Sequence, residues 1–246
     1  MCARNWASTL SWGALLVASG EFRLRVHYGK VGRLRWLSHL ELIHALERSI
    51  RRAGLAYAIT HGFSPHMKAS FGPALPVGTA GENEYLDVWL TRYTDAAEAL
   101  KLLHTSTPAD LAPIEARYVA DKEPSLTAAI TIAKYVVDVV GEESSAENVR
   151  AAMKCVVDTG TLSVVHKGKH KVFDLARVLP EEVRVVDREG GCSIELTVRM
   201  GPEGSLRPEL LVREAFRTAS LEAAVSHTTR ADTLIELDEE VWVRPV

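Results

Sequence analysis

The chain has 246 residues, 47% of them hydrophobic and 25% charged, with a formal net charge of −3 at neutral pH. That balance excludes a disordered chain and a uniformly basic nucleic-acid-coating protein, and leaves one large globular domain or two of about 100 to 120 residues each. Three widely spaced cysteines, Cys2, Cys155 and Cys192, indicate neither a disulfide framework nor a cysteine zinc site, and fit a reducing, cytoplasmic compartment.

Residues 1–20 read as a loosely ordered extension. Their apolar run from Leu10 to Val17 is broken by Ser11, Trp12 and Gly13, which suits neither a signal peptide nor a membrane helix. From Phe22 to Tyr28 apolar and polar residues alternate, as in a half-buried strand, and the alternation resumes from Arg33 to Trp36. A helix is predicted to start at Ser38, with Glu41 as capping-box partner and Leu37 and Leu42 as a hydrophobic staple. It ends near Ala53, where Gly54 follows Arg51 and Arg52. Leu42, Ala45, Leu46, Ser49, Ile50 and Ala53 form its packing stripe, leaving His44, Arg48, Arg51 and Arg52 on other faces.

A short strand is expected over Ala56 to Thr60, then a loop from His61 to His66 and another strand from Met67 to Phe71. Gly72 to Gly78 is too rich in glycine and proline for regular structure, and it lacks the features of a nucleotide-binding loop. A strand over Glu84 to Leu90, a helix after Thr94 and a strand over Ile114 to Val119 complete a βαββαβ order. Trp36 and Trp89 are expected in the core.

Residues 121–133 read as a linker, and the element order largely recurs over residues 134–246, where Val172 to Leu179 is ambiguous between extended and turn. The expected fold is therefore α+β, with two ferredoxin-like units and antiparallel sheets: the first over 21–120, the second over 134–246.

The net charge hides an asymmetry. Residues 21–71 hold nine Lys or Arg against three Asp or Glu, with five of the nine histidines, while residues 72–246 carry an excess of ten acids. A local positive region on an acidic chain suggests one face for an anionic ligand, although solvated surface charge produces the same pattern. The candidate ligand-binding residues are Arg33, Arg35, His39, Arg48, Arg51, Arg52, His61, Phe63, His66, Lys68 and Phe71. Arginine grips phosphate bidentately, imidazole adds a pH-sensitive hydrogen bond, and an aromatic face stacks an unpaired base. His39, His61 and His66 are also the candidates for acid–base catalysis of RNA cleavage. His61 and His66 lack evident third and fourth partners for a metal, and no cofactor is indicated.

The stretch RLRWLSHLELIHALERSIRRAGL, followed by THGFSPHMKASFGPALPVG and ENEYLDVWL, resembles the radical SAM-linked protein family, a domain of unknown function found beside or fused to radical SAM enzymes. The matching features are Ser38 to Leu42, Glu47-Arg48, Arg51 to Gly54 and Gly62 to His66, within about residues 22–140. The resemblance implies a radical SAM enzyme as partner, and this chain has no CxxxCxxC run of its own to hold a cluster. A fold-level analogy also links the chain to the ferredoxin-like RNA-processing proteins of CRISPR systems. Three functions follow as expectations: a non-catalytic accessory module that binds RNA or another anion, a metal-independent endoribonuclease, or a protein-docking domain for the radical SAM partner. No membrane partner is expected.

Overall fold

A computed structural model of the chain describes residues 20–166, 169–201, 205–238 and 241–245, so the extension expected over residues 1–20 lies, apart from Gly20, outside the described residues. Strand β1 (Phe22–Lys30) turns Leu24, Val26 and Tyr28 toward the helices, as a two-residue period requires. A 3-10 turn over Gly32–Trp36 leads into α1 (His39–Arg52). The capping box is complete: Ser38 Oγ accepts from the Glu41 amide, and the Glu41 carboxylate accepts from the Ser38 amide at 2.8 Å. Leu42, Leu46 and Ile50 bury the inner face of α1, and Gly54, at φ +69°, ends it.

Strands β2 (Ala69–Phe71), β3 (Ala80–Leu90) and β4 (Pro113–Tyr118), with α2 (Ala96–Ser106) before β4, complete the first unit. Its spatial order is β4-β1-β3-β2 with every neighbour antiparallel, the split βαβ order of a ferredoxin-like unit. Where a strand is expected over Ala56 to Thr60, Tyr57 and Ile59 make isolated bridges, to Leu90 and Met67. The loop from His61 to His66 is thus an excursion from the broken edge of the sheet.

The segment expected to be a linker contains the one-turn helix α3 (Leu126–Ala129), with Leu126 and Ile130 buried beside Tyr85. The second unit follows with β5 (Ile132–Val140) and α4 (Ala146–Val157), then an inserted hairpin of β6 (Thr161–His166) and β7 (Lys169–Asp174) and the short α5 (Leu175–Val178). Strands β8 (Arg184–Arg188) and β9 (Gly191–Arg199), helix α6 (Pro208–Ala219) and β10 (Ala224–Asp238) close it, in the order β10-β5-β9-β8. The same antiparallel arrangement is therefore built twice, each with its own core. The stretch ambiguous by sequence, Val172 to Leu179, is the end of β7 and α5, divided by Asp174, whose carboxylate caps the helix.

Strands β3 and β10 join the units in parallel through Thr229–Ala80 and Arg230–Gly81, making one nine-stranded sheet that includes β11 (Val241–Val243) on β10. Above the seam, Arg230 of the second unit donates to Glu84 of the first at 2.8 Å, and both side chains are buried. Burial alone would lower the Arg230 pKa, but Glu84 and Tyr135 beside it raise it overall.

The other face of β1 departs from the half-buried expectation. Arg23, Arg25 and His27 are buried there, covered by the 121–130 segment and the C-terminal residues. Asp87 of β3, itself fully buried, accepts two hydrogen bonds from Arg23 and two from Arg25, at 2.7–3.0 Å. The outer guanidinium nitrogens bond backbone carbonyls of Glu123, Pro124 and Pro245. Three of the nine cations counted in residues 21–71, Arg23, Arg25 and Lys30, are thus internal.

Candidate functional site

Helical spacing puts Leu40, His44, Arg48 and Arg52 in one row opposite the buried stripe of α1, with Arg51 beside it, and all five are exposed. From Leu40 to Arg52 this row runs about 18 Å. Arg51 pairs with Glu47 at 3.2 Å and lies over the Tyr57 ring at 6.0 Å. Neither Arg48 nor Arg52 has an acidic partner within ion-pair distance among the described residues. Their charge is therefore directed at solvent or a ligand.

At the start of this row stands Trp36, which the sequence assigns to the core. The structure leaves it 60% exposed, with the Arg35 guanidinium 5.3 Å from the ring centroid. One edge of the indole rests on Gly78, whose φ is +90° and where a Cβ would come within 2.9 Å of Trp36 Cζ3. The alternation expected over Arg33 to Trp36 is replaced by the 3-10 turn, and it is Leu37, the staple residue after that turn, which packs on the core in place of Trp36. Arg33, on the same turn, is exposed, and its amide donates to Asp110 at 3.1 Å.

At the other end of the row, Tyr57 leads into the edge loop. Phe63, at the loop tip, is completely exposed, and His61 and His66 flank it in the open. His66 Nδ1 lies 3.0 Å from Ser64 O and 3.1 Å from Thr60 Oγ1, which ties the base of the loop together. The remaining candidates lie elsewhere. His39, in the first turn of α1, is partly buried edge-on to Phe71 at 6.2 Å, and Phe71 packs against the first core. Burial, followed by the charges of Lys30 and Arg230, lowers the His39 pKa. Lys68 points to the opposite face of the sheet, over the Trp89 ring at 5.0 Å and paired with Glu21.

The structure thus puts Arg48, Arg51 and Arg52 on the exposed face of α1 and Arg33, Arg35 and Trp36 on the 3-10 turn before it, carries His61, Phe63 and His66 on the edge loop, and turns His39, Lys68 and Phe71 away from that face. His39 shares no pocket with the two loop histidines: it packs on Phe71, whereas they project from the sheet edge. Among the described residues, no three His, Cys, Asp or Glu side chains gather as a metal ion would need, and no helix is long and apolar enough to cross a membrane.

A family described as "Uncharacterized protein conserved in bacteria (DUF2344)" matches residues 23–208. No curated protein matches the sequence. Among solved structures, the chain is similar to one in a Cbf5-Nop10-Gar1 complex, with 13% identity and a TM-score of 0.46 over 88% of this chain and 50% of that one. A second, from the archaeal box H/ACA sRNP Nop10-Cbf5 complex, gives 14% identity and 0.43 over 85% and 47%. This chain therefore spans about half the length of either. An unknown protein from Galdieria sulphuraria gives 13% identity and 0.26 over 82% and 90%. At these scores the likenesses carry nothing about function.

Proposed function

Starting from the fact that the chain belongs to the family of uncharacterized proteins conserved in bacteria (DUF2344), we propose that it is a non-catalytic accessory module that holds an unpaired RNA segment for a modifying enzyme. The observation that carries this reading is the exposed row on α1. Arg48 and Arg52 lack acidic partners among the described residues, and two solvent-facing aromatic rings flank the helix in the chain, Trp36 on the turn before it and Phe63 in the loop after it. A single strand needs that combination: cations tracking the backbone and ring faces on which bases stack without regard to sequence. The chain's excess of acids outside residues 21–71 confines a polyanion to this ridge.

The modifying enzyme is, in this reading, the radical SAM partner implied by the resemblance of Ser38 to Leu42 and Gly62 to His66. Cleavage by paired imidazoles has less support, because His39 packs away from the loop that carries His61 and His66.

The test is fluorescence anisotropy with a labelled unstructured RNA at several salt concentrations. Each phosphate neutralised on a single strand contributes about 0.7 to the slope of log K against log salt. The Arg48→Glu, Arg52→Glu variant is expected to bind more weakly and to reduce that slope by about 1.4. Trp36→Ala and Phe63→Ala are each expected to weaken binding while leaving the slope unchanged. Unchanged affinity and slope in a folded charge-reversed variant would overturn the proposal. Recovery of a radical SAM protein without RNA, in purification from the native cell, would instead make the ridge a protein dock.

A further inference from the structure

The seam between the units opens, on the helical side of the sheet, into a cavity of about 360 Å³. Its floor is the guanidinium of Arg230, with the side chains of Tyr135 and Thr79. One wall is the Gly/Pro-rich segment of the first unit, Pro73 to Pro76, held in place because Arg230 also donates to the Pro73 carbonyl at 2.6 Å. The opposite wall comes from the hairpin inserted in the second unit, through Val164 and Phe173. Arg207 and Pro208, at the start of α6, close the third side with Leu206 and Met200.

Two features separate this space from a gap left by imperfect packing. First, most of its walls come from segments that lie outside the two repeated βαββαβ frameworks, namely the loop before β3, the β6–β7 insertion and the residues leading into α6, joined by the first turn of α6 itself. Second, its lining is sorted: apolar side chains around the walls, the buried Arg230 at the seam, and the exposed Arg207 at the side, with Glu209 the one carboxylate among the described lining residues. Ligand sites in proteins share this composition, this location between units and a volume of about 300–1,000 Å³.

We propose that the seam cavity binds a small amphipathic anion, with an apolar body of one or two rings and a single carboxylate, sulfonate or phosphate. The rings lie between Leu75, Val164 and Phe173, and the acid group is met by Arg207. The site is separate from the ridge on α1 and does not depend on RNA binding there.

The probe is 8-anilinonaphthalene-1-sulfonate, whose two aromatic groups and one sulfonate have the required chemistry, titrated by fluorescence against the full chain. Saturable binding at one site per chain is expected. Arg207→Glu is expected to weaken it about tenfold, the worth of one charge-assisted contact. This substitution puts an acid at the N-terminus of α6, which favours the helix dipole, so weaker binding cannot be traced to loss of the helix. Val164→Trp fills the cavity and is expected to abolish binding with an unchanged thermal midpoint; should that variant not fold, Arg207→Glu decides alone. The uncharged N-phenyl-1-naphthylamine is expected to bind more weakly and to ignore Arg207→Glu. Non-saturable binding of the sulfonate, or equal affinity in wild type and Arg207→Glu, would overturn the proposal. Displacement of the probe by the unstructured RNA would overturn the separateness of the two sites, whereas failure of RNA binding alone leaves the cavity reading intact.

Discussion

Replacing Asp87 by alanine is the most informative single change to the fold. The carboxylate receives four charge-assisted hydrogen bonds from Arg23 and Arg25, and all three side chains are almost wholly withdrawn from solvent. Deleting it leaves two buried guanidinium groups with only backbone carbonyls and the half-exposed Glu123 as compensation. Breaking a buried pair from one side costs about 3–5 kcal/mol, because the surviving charge loses its partner but not its desolvation. In a chain of this size that corresponds to a fall in Tm of about 6–20 °C. Urea unfolding followed by circular dichroism measures the difference. A second variant isolates the cause: Arg23→Leu, Arg25→Met and Asp87→Leu together remove every charge at the site and are expected to recover most of the loss. A cost below about 1 kcal/mol for Asp87→Ala, or no recovery in the triple variant, would refute the argument from buried charge.

Three other outcomes are expected. Ser38→Ala removes one half of the capping box and costs about 1 kcal/mol, measurable by the same unfolding curve. Glu41 has its pKa lowered by the hydrogen bonds from the Ser38 side chain and amide, so its contribution is present above the ordinary glutamate range and lost as pH falls through its folded value; the Tm gap between wild type and Glu41→Gln should narrow as pH falls below that ordinary range. Gly78→Ala places a methyl group against Trp36 at a left-handed φ, and is expected to destabilise the chain by about 1–3 kcal/mol in urea and to weaken RNA binding through the displaced indole.

Much of the framework could be read from local pattern. The Ser38-Glu41 capping box, the Gly54 stop and the alternation in β1 and β3 each follow from a few neighbouring residues, and the element order then specified two ferredoxin-like units. Long-range pairing was not legible in the same way. Arg23 and Arg25 alternate like solvent-facing residues, and nothing near them in sequence announces that Asp87, more than sixty positions away, will neutralise them. A count of charge therefore overstates what the surface offers by the internal Arg23, Arg25 and Lys30. Trp36 illustrates the opposite error, since its size argued for burial while its position beside an inward Leu37 set it outside. Phe71 and Lys68, neighbours of the exposed loop in sequence, part to opposite faces because a strand turns successive residues apart.

The contact between Glu84 and Arg230 has a consequence for how the two halves exist. Each half contributes one member of a buried ion pair, and β3 and β10 add two paired ladder positions and the hydrogen bonds of Asn83 with Ala231 and Thr233. Separated, each half would return its charge to water and expose the edge strand that the other had covered. The boundary thus closes an open sheet edge on each half as well as joining two sheets, and the nine strands form one continuous surface because of it.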